Sequence, residues 1–269
     1  MPRRARLDAE LVRRGLARSR EHASQLIEGG RVLVRGTVAS KAATAVEPDA
    51  PVLVKELEDD PGWASRGAYK LLGALAAFEG LTVAGRRCLD AGASTGGFTD
   101  VLLRKGAAAV VAADVGRGLL DWRLRTDPRV TVLDRTNVRS LTKEQTGGPV
   151  DLVVADLSFI SLRLVLPALL ACTALDADLM PMVKPQFEVG KERLGSGGVV
   201  RDPELRAGAV HGVLAAAAEL GLRPLGVVAS PLPGPAGNVE YFGWLRRGEP
   251  PAPERVAAMV ETAVREGPQ

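Results

Sequence analysis

Apolar residues recur at helical spacing near the start of the chain, at Leu7, Leu11, Val12 and Leu16 and again at Ala23, Leu26 and Ile27. Gly15 interrupts the first series, so the pattern predicts two short helices, the second with Ser19 as its N-cap. Gly29-Gly30 closes that helix, and Arg31-Val32-Leu33-Val34 with Val38 reads as a short strand and a turn at Arg35-Gly36. The acidic stretch Glu56-Leu57-Glu58-Asp59-Asp60, followed by Pro61-Gly62, changes the composition and reads as a linker. These shifts divide the chain into a small domain over 1–59, a linker over 60–64 and a large domain over 65–269.

Beyond the linker the pattern alternates between apolar runs and amphipathic stretches. Strands are predicted at Arg87 to Asp90, Val110 to Asp114, Val130 to Leu133, Leu152 to Ala155, Leu179 to Val183, Leu225 to Ala229 and Val239 to Leu245. Short apolar runs separated by helices imply a parallel, doubly wound sheet with both faces covered. No room for a helix exists between the last two runs, so an antiparallel hairpin edge is expected there. The predicted class is α/β, a Rossmann-like sheet preceded by a small α/β module.

Composition narrows the function classes. A hydrophobic content of 46% over 269 residues supports a packed core. Only two cysteines occur, Cys88 and Cys172, without metal-ligand spacing, so neither a disulfide framework nor a metal is expected, and a reducing cytoplasm fits. The opening Arg3-Arg4-Ala5-Arg6 lacks an apolar signal region, and the apolar stretch Leu162 to Leu175 is interrupted by Arg163 and Pro167. We expect neither a secretion signal nor a membrane span. Net charge is only +3, yet the segment from Met1 to Lys41 holds ten basic residues against Asp8, Glu10, Glu21 and Glu28. Scattered charge alone describes a solvated helical face, but an excess of this size favours a polyanionic partner.

The first strand of the large domain leads into Asp90-Ala91-Gly92-Ala93-Ser94-Thr95-Gly96-Gly97-Phe98-Thr99 and then a helix from Asp100 to Lys105. Glycines at a strand-to-helix turn let a ligand approach the backbone closely, as a flat adenosine or a phosphate requires, or simply serve a tight turn. Ser94 occupies the place of the middle glycine of G-x-G-x-x-G, which disfavours a nicotinamide dinucleotide. The candidate cofactor contacts are Asp90, Gly92, Ala93, Ser94, Thr95, Gly96, Gly97 and Phe98. Asp114 ends the second strand about twenty residues on, where a carboxylate accepts from both ribose hydroxyls. Asn137, after the third strand, is placed to meet the adenine edge.

Open α/β sheets bind ligands at the carboxyl ends of their strands. Asp156 follows Leu152-Val153-Val154-Ala155 and Lys184 follows Leu179-Met180-Pro181-Met182-Val183, so each charge terminates an apolar strand. Glu240 stands where the final strand starts, and Lys70 lies in Ser65-Arg66-Gly67-Ala68-Tyr69-Lys70-Leu71, on a helix before the first strand. Singly, each reads as a solvated strand-end or surface charge. Phe159 is either a core aromatic or a stacking surface for a flipped base. The glycine-rich run from Val189 to Gly198 is either a loop closing over a ligand or a plain connection.

Two resemblances sharpen these readings. The run from Leu11 to Gly36 resembles the S4-like RNA-binding domain, which implies a basic helix face for RNA made of Arg4, Arg6, Arg13, Arg18, Ser19, Arg20 and Arg35. Lys70, Asp156, Lys184 and Glu240 resemble the Lys-Asp-Lys-Glu tetrad of FtsJ-type ribose 2′-O-methyltransferases in order and approximate spacing. With Asp156-Leu157-Ser158-Phe159-Ile160-Ser161, Val183-Lys184-Pro185-Gln186-Phe187-Glu188 and Pro233-Gly234-Pro235-Ala236-Gly237-Asn238-Val239-Glu240, the chain resembles the TlyA family along nearly its whole length. That resemblance implies an S-adenosylmethionine-dependent transfer of a methyl group to a cytidine 2′-hydroxyl of 16S or 23S ribosomal RNA. The family also carries a historical hemolysin label, and its Arg-x-Trp-Val linker is reduced here to the tryptophan of Pro61-Gly62-Trp63-Ala64.

The implied role of Lys184 is contact with the attacking hydroxyl, as general base or as an orienting donor. Bringing a lysine from its ordinary value near 10.4 down to neutrality costs about 4 kcal/mol. Desolvation and Lys70 favour that, while Asp156 and Glu240 oppose it. Asp156 is expected to position Lys184 and meet the methionine end of the donor, with Lys70 and Glu240 fixing the ribose. Rival readings are a non-catalytic RNA-binding or ribosome-assembly factor, a small-molecule methyltransferase and a membrane-active hemolysin.

Overall fold

The computed structural model describes residues 4–17, 20–55 and 61–268. Arg18, Ser19 and the acidic run from Glu56 to Asp60 lie outside the described residues. The chain forms two compact units, Met1–Gly62 and Trp63–Gln269.

In the first unit, strand β1 (Ala5–Arg6) leads into helices α1 (Leu7–Arg13) and α2 (Arg20–Glu28), followed by strands β2 (Val32–Val34), β3 (Thr37–Val38), β4 (Ala45–Val46) and β5 (Val52–Val54). The residues that predicted the helices, including Leu7, Leu11, Ala23, Leu26 and Ile27, form the core with Val32 and Val46. Strands β3, β2 and β5 make one antiparallel sheet, and β1 pairs with β4. Arg35 and Gly36 both hold positive φ, 52° and 80°, as a two-residue hairpin with right-handed strand twist requires. The two-residue strands β1 and β4 carry too few positions for an alternation to be read.

The second unit runs through α3 (Gly67–Ala77), β6 (Arg87–Ala91), α4 (Gly97–Arg104), β7 (Ala109–Ala113), α5 (Trp122–Arg125), β8 (Val130–Leu133), β9 (Val150–Ala155) and α6 (Leu166–Ala171). It continues with β10 (Thr173–Val183), α7 (Pro185–Glu188), α8 (Pro203–Glu219), β11 (Leu222–Ala229), β12 (Tyr241–Arg247) and α9 (Pro253–Glu266). The sheet order is β11-β12-β10-β9-β6-β7-β8. All neighbours are parallel except β12, which is antiparallel to both β10 and β11. This is the Rossmann-like sheet the sequence predicts.

Successive side chains of β9 and β10 point into opposite cores. Val153, Ala155, Leu179 and Val183 meet α6, α8 and α9, whereas Leu152, Val154, Met180 and Met182 meet α3 and α4. Burial on both faces explains why these strands read as unbroken apolar runs. The antiparallel hairpin occurs where expected, but β12 is inserted beside β10 and leaves β11 as the outer strand. That edge position accommodates Pro224, which has no N–H to give a ladder, with a register shift between Pro224 and Gly226. Helix α4 begins at Gly97, three residues ahead of the predicted start, and β10 begins well before Leu179.

The early part of β10 contains Asp178, fully buried, whose carboxylate accepts from Arg86 Nη1 at 2.5 Å, Trp244 Nε1 at 2.7 Å and Arg246 Nε at 2.9 Å. Replacing one member of a buried ion cluster leaves its partners uncompensated. Asp178→Ala should therefore lower unfolding free energy by on the order of 3 kcal/mol. Urea denaturation followed by far-UV circular dichroism checks this, and an unchanged midpoint would show that the cluster adds nothing.

Candidate active site

The register of the sheet brings the site together. Ala91 aligns with Ala113 on one side and Ala155 on the other, and Val183 aligns with Tyr241 across the antiparallel ladder. The residues that follow β7, β6, β9 and β10, namely Asp114, Gly92, Asp156 and Lys184, therefore emerge along one end of the sheet. Because β12 runs the other way, its preceding residue, Glu240, meets them there.

Lys70, Asp156, Lys184 and Glu240 converge. Lys70 Nζ, reaching from α3, donates to Glu240 Oε2 at 2.6 Å. Lys184 Nζ lies 2.5 Å from Asp156 Oδ1 and 3.8 Å from Glu240 Oε1. The groups alternate in sign, and both lysines and Glu240 are buried. Glu240 Oε1 is buried and has no hydrogen-bond partner among the described residues; it lies against Gly234 and 3.8 Å from Lys184 Nζ. Lys184 Nζ also donates to Ser158 Oγ at 3.1 Å. Ser158 is absent from the residues singled out by sequence, although it sits two positions after the strand-end acid.

The glycine turn is shaped by close packing. Gly92 holds φ 86°, and a Cβ there would collide with the backbone carbonyl of Asp156. Gly97 faces Ser65 Oγ and the Ala68 backbone, so α4 and α3 touch without an intervening side chain. Ser94, also at positive φ, donates its N–H to Asp114 Oδ2 at 2.9 Å, and Gly116 N donates to Asp114 Oδ1 at 2.7 Å. Each oxygen of Asp114 thus keeps acceptor capacity for a ribose hydroxyl. Asp121 N donates to Thr95 O at 3.1 Å, tying the turn to the start of α5. Asn137 is exposed and its Oδ1 accepts from Arg139 N at 3.0 Å, which leaves its amide N–H₂ to donate. Phe98 turns its ring into the core against Phe242, 5.9 Å between centroids, so only its backbone faces the turn.

Asp90 lies beneath the turn, fully buried. Thr99 Oγ1 donates to its Oδ2 at 2.7 Å, while Oδ1 has no partner among the described residues. Burial above all pushes this carboxyl up to about 7, against the hydrogen bond from Thr99, with the Asp156 charge adding to the rise. A methyl donor bearing a ribose and an ammonium fits this donor set: the two oxygens of Asp114 at the turn and the unpartnered carboxyl oxygen of Asp90 beneath it.

Phe159 is 91% exposed, holds φ 64° and stacks at 5.3 Å on Phe187, so the core alternative does not apply to it. In the first unit Arg4, Arg6, Arg13, Arg20 and Arg35 are exposed and ion-paired. Arg6 and Arg20 bind Asp8, Arg13 binds Glu10, and Arg4 and Arg35 bind Glu47. The end of the glycine-rich run is anchored, since Asn238 accepts from Val200 N at 2.9 Å and donates to Gly198 O at 3.0 Å. Trp63 stacks under the Arg104 guanidinium at 4.2 Å, and Ala64 N donates to Asp100 Oδ2 at 2.9 Å. Among the described residues no group of His, Cys, Asp and Glu is arranged to hold a metal, and no helix is long and apolar enough to cross a membrane.

A doubly wound sheet with a glycine turn and a strand-end Lys-Asp-Lys-Glu cluster defines a Rossmann-like methyltransferase. Residues 63–247 match the FtsJ-like methyltransferase family, and residues 5–52 match the S4 domain. The chain is 65% identical over 246 residues to the Mycobacterium tuberculosis 16S/23S rRNA (cytidine-2′-O)-methyltransferase TlyA, covering 91% of each. It is 34% identical to Hemolysin A of Brachyspira hyodysenteriae, over 88% of this chain and 98% of that protein. A solved structure from Streptococcus thermophilus, described as a candidate hemolysin, superposes with a TM-score of 0.76 at 34% identity, covering 99% of this chain and 98% of that one. The chain belongs to the TlyA family of FtsJ-like methyltransferases.

The Asp90 carboxyl has a testable consequence for stability. Unfolded, it ionises near 3.8; folded, near 7, so between those values the native state holds the extra proton. Stability then falls as pH rises through that window. Between pH 5 and 7.5 the loss attributable to Asp90 should be roughly 2 kcal/mol, and Asp90→Asn, which still accepts from Thr99, should flatten that slope. Urea midpoints at the two pH values measure it; equal slopes in both proteins would refute the assignment.

Proposed function

We propose that the protein transfers a methyl group from S-adenosylmethionine to a cytidine 2′-hydroxyl of 16S or 23S ribosomal RNA. The observation that carries this reading is the meeting of Lys70, Asp156, Lys184 and Glu240 beside a glycine turn, on a chain that also has an S4 domain. The substrate class is taken from the tuberculosis relative, whose name specifies cytidine 2′-oxygens of both RNAs. Ribosomal RNA as partner makes the cytoplasm the place of action.

The donor supplies an activated methyl on a sulfonium, so the protein's task is alignment and removal of a proton from a weak nucleophile. In our reading Asp114 holds the ribose hydroxyls of the donor, the backbone from Gly92 to Gly97 lies against its adenosine and Asn137 meets the adenine. Asp90 and Asp156 face the methionine end. Lys184 contacts the attacking oxygen. Asp156 and Ser158 take up two of its three N–H groups, which in this reading leaves the third for the substrate oxygen. Lys70 keeps Glu240 oriented through the 2.6 Å bond. In this reading Glu240 fixes the geometry of the target ribose together with Lys70.

The domain division supports a docking and a catalytic unit. Arg4, Arg6, Arg13, Arg20 and Arg35 bind phosphates in this reading, exchanging or sharing their present carboxylate partners, and neutralising phosphates makes that binding salt-dependent. Arg18 and Ser19 complete the face by sequence alone. Phe159 stacks on the target base.

Incubation with labelled donor and separated ribosomal subunits, followed by mapping of ribose methylation as a block to alkaline cleavage, tests the reading. Lys184→Ala should lower turnover by at least about a hundredfold; because it also removes one member of a buried charge cluster, turnover is read well below the variant's own melting temperature, where circular dichroism shows it folded. Retained methylation in that variant would refute the role, and donor turnover unaffected by RNA would favour a small-molecule acceptor.

A further inference from the structure

The loop carrying Asp156, Ser158 and Phe159 is closed by a residue that the reaction scheme leaves unused. Glu188 ends α7, the single turn that follows Lys184, and is buried. Its Oε1 accepts from Leu162 N at 2.7 Å and its Oε2 accepts from Ser161 Oγ at 2.6 Å. Arg163 Nε lies 3.3 Å from the same Oε2, and Arg163 Nη2 donates to the Glu188 backbone oxygen at 3.2 Å. The loops after β9 and β10 are therefore joined at three levels: Lys184 to Asp156 and Ser158, Phe187 to Phe159, and Glu188 to Ser161 and Leu162.

The middle level is under strain. Phe159 holds φ 64°, a conformation that persists for a bulky residue only where its surroundings over-determine it. Asp156 fixes the loop at its start, with its N–H bonded to Ala91 O at 3.0 Å. At the other end the two oxygens of Glu188 take up one backbone N–H and one hydroxyl. Exposed as it is, Phe159 packs against the Phe187 ring.

We propose that Glu188 is a positioning residue: it clamps the end of the β9 loop so that Phe159 and Ser158 stand at fixed places beside Lys184. This rests on the function proposed above. Glu188 touches neither donor nor acceptor, and it acts through the loop.

The test is a double-mutant cycle between Glu188→Ala and Phe159→Ala, reading kcat on ribosomal RNA and the dissociation constant of S-adenosylmethionine by calorimetry. Glu188→Ala should lower kcat about tenfold with donor affinity within about twofold, and should lower it less than about threefold in the Phe159→Ala background. Glu188→Gln keeps an acceptor for Leu162 N and should stay within about threefold of wild type. Should Glu188→Ala fail to fold, Ser161→Ala takes its place in the same cycle. Unchanged kcat, or the same proportional loss in both backgrounds, overturns the proposal. A wild-type protein that leaves ribosomal RNA unmethylated would instead count against the proposed function.

Discussion

The site depends on the antiparallel pairing of β12 with β10. Val183 opposite Tyr241 means that the residue leaving one strand and the residue entering the other share one end of the sheet, and these are Lys184 and Glu240. A parallel β12 would start at the opposite end and deliver its preceding carboxylate far from the glycine turn. With Glu240 in place, four charges alternate as cation, anion, cation and anion. Each charge then has a neighbour of opposite sign, which offsets part of the cost of taking it out of water.

The cofactor side is tied to the reaction side by a backbone contact. Gly92 approaches the Asp156 carbonyl so closely that no side chain fits between them, and Asp156 N in turn bonds Ala91 O. The glycine turn and the strand end that pairs with Lys184 are therefore held together by backbone contacts. Asp114 extends the same rigidity outward, since its two oxygens hold Ser94 N and Gly116 N from two different loops. Functional groups mounted on strand ends and locked by backbone hydrogen bonds are held more tightly than groups on free loops.

Much of this was legible in the sequence because strand-end charges are informative. A lysine or aspartate that stops an apolar run buried on both faces has only the sheet's end to occupy, and Asp156 and Lys184 were found that way. Hydrogen bonds between loops leave no periodic trace, so the pattern does not mark Ser158 as a partner of Lys184. Asp178 defeats pattern reading for another reason: an acid inside an apolar run looks like a loop until Arg86, Trp244 and Arg246, distant in sequence, are seen around it. Charge counting likewise cannot reveal that Asp8, Glu10 and Glu47 already engage the arginines of the first unit. Helix α9 repeats Val256, Val260, Ala263 and Val264 at helical spacing, a signal that was present but unread.

Strand β12 is also nearly the last element to be made. A polypeptide still emerging from the ribosome holds Lys70, Asp156 and Lys184 long before Glu240 arrives. Synthesis interrupted just ahead of Glu240 would leave Lys70 and Lys184 without their shared carboxylate and would part β11 from β10, since β12 is the strand between them.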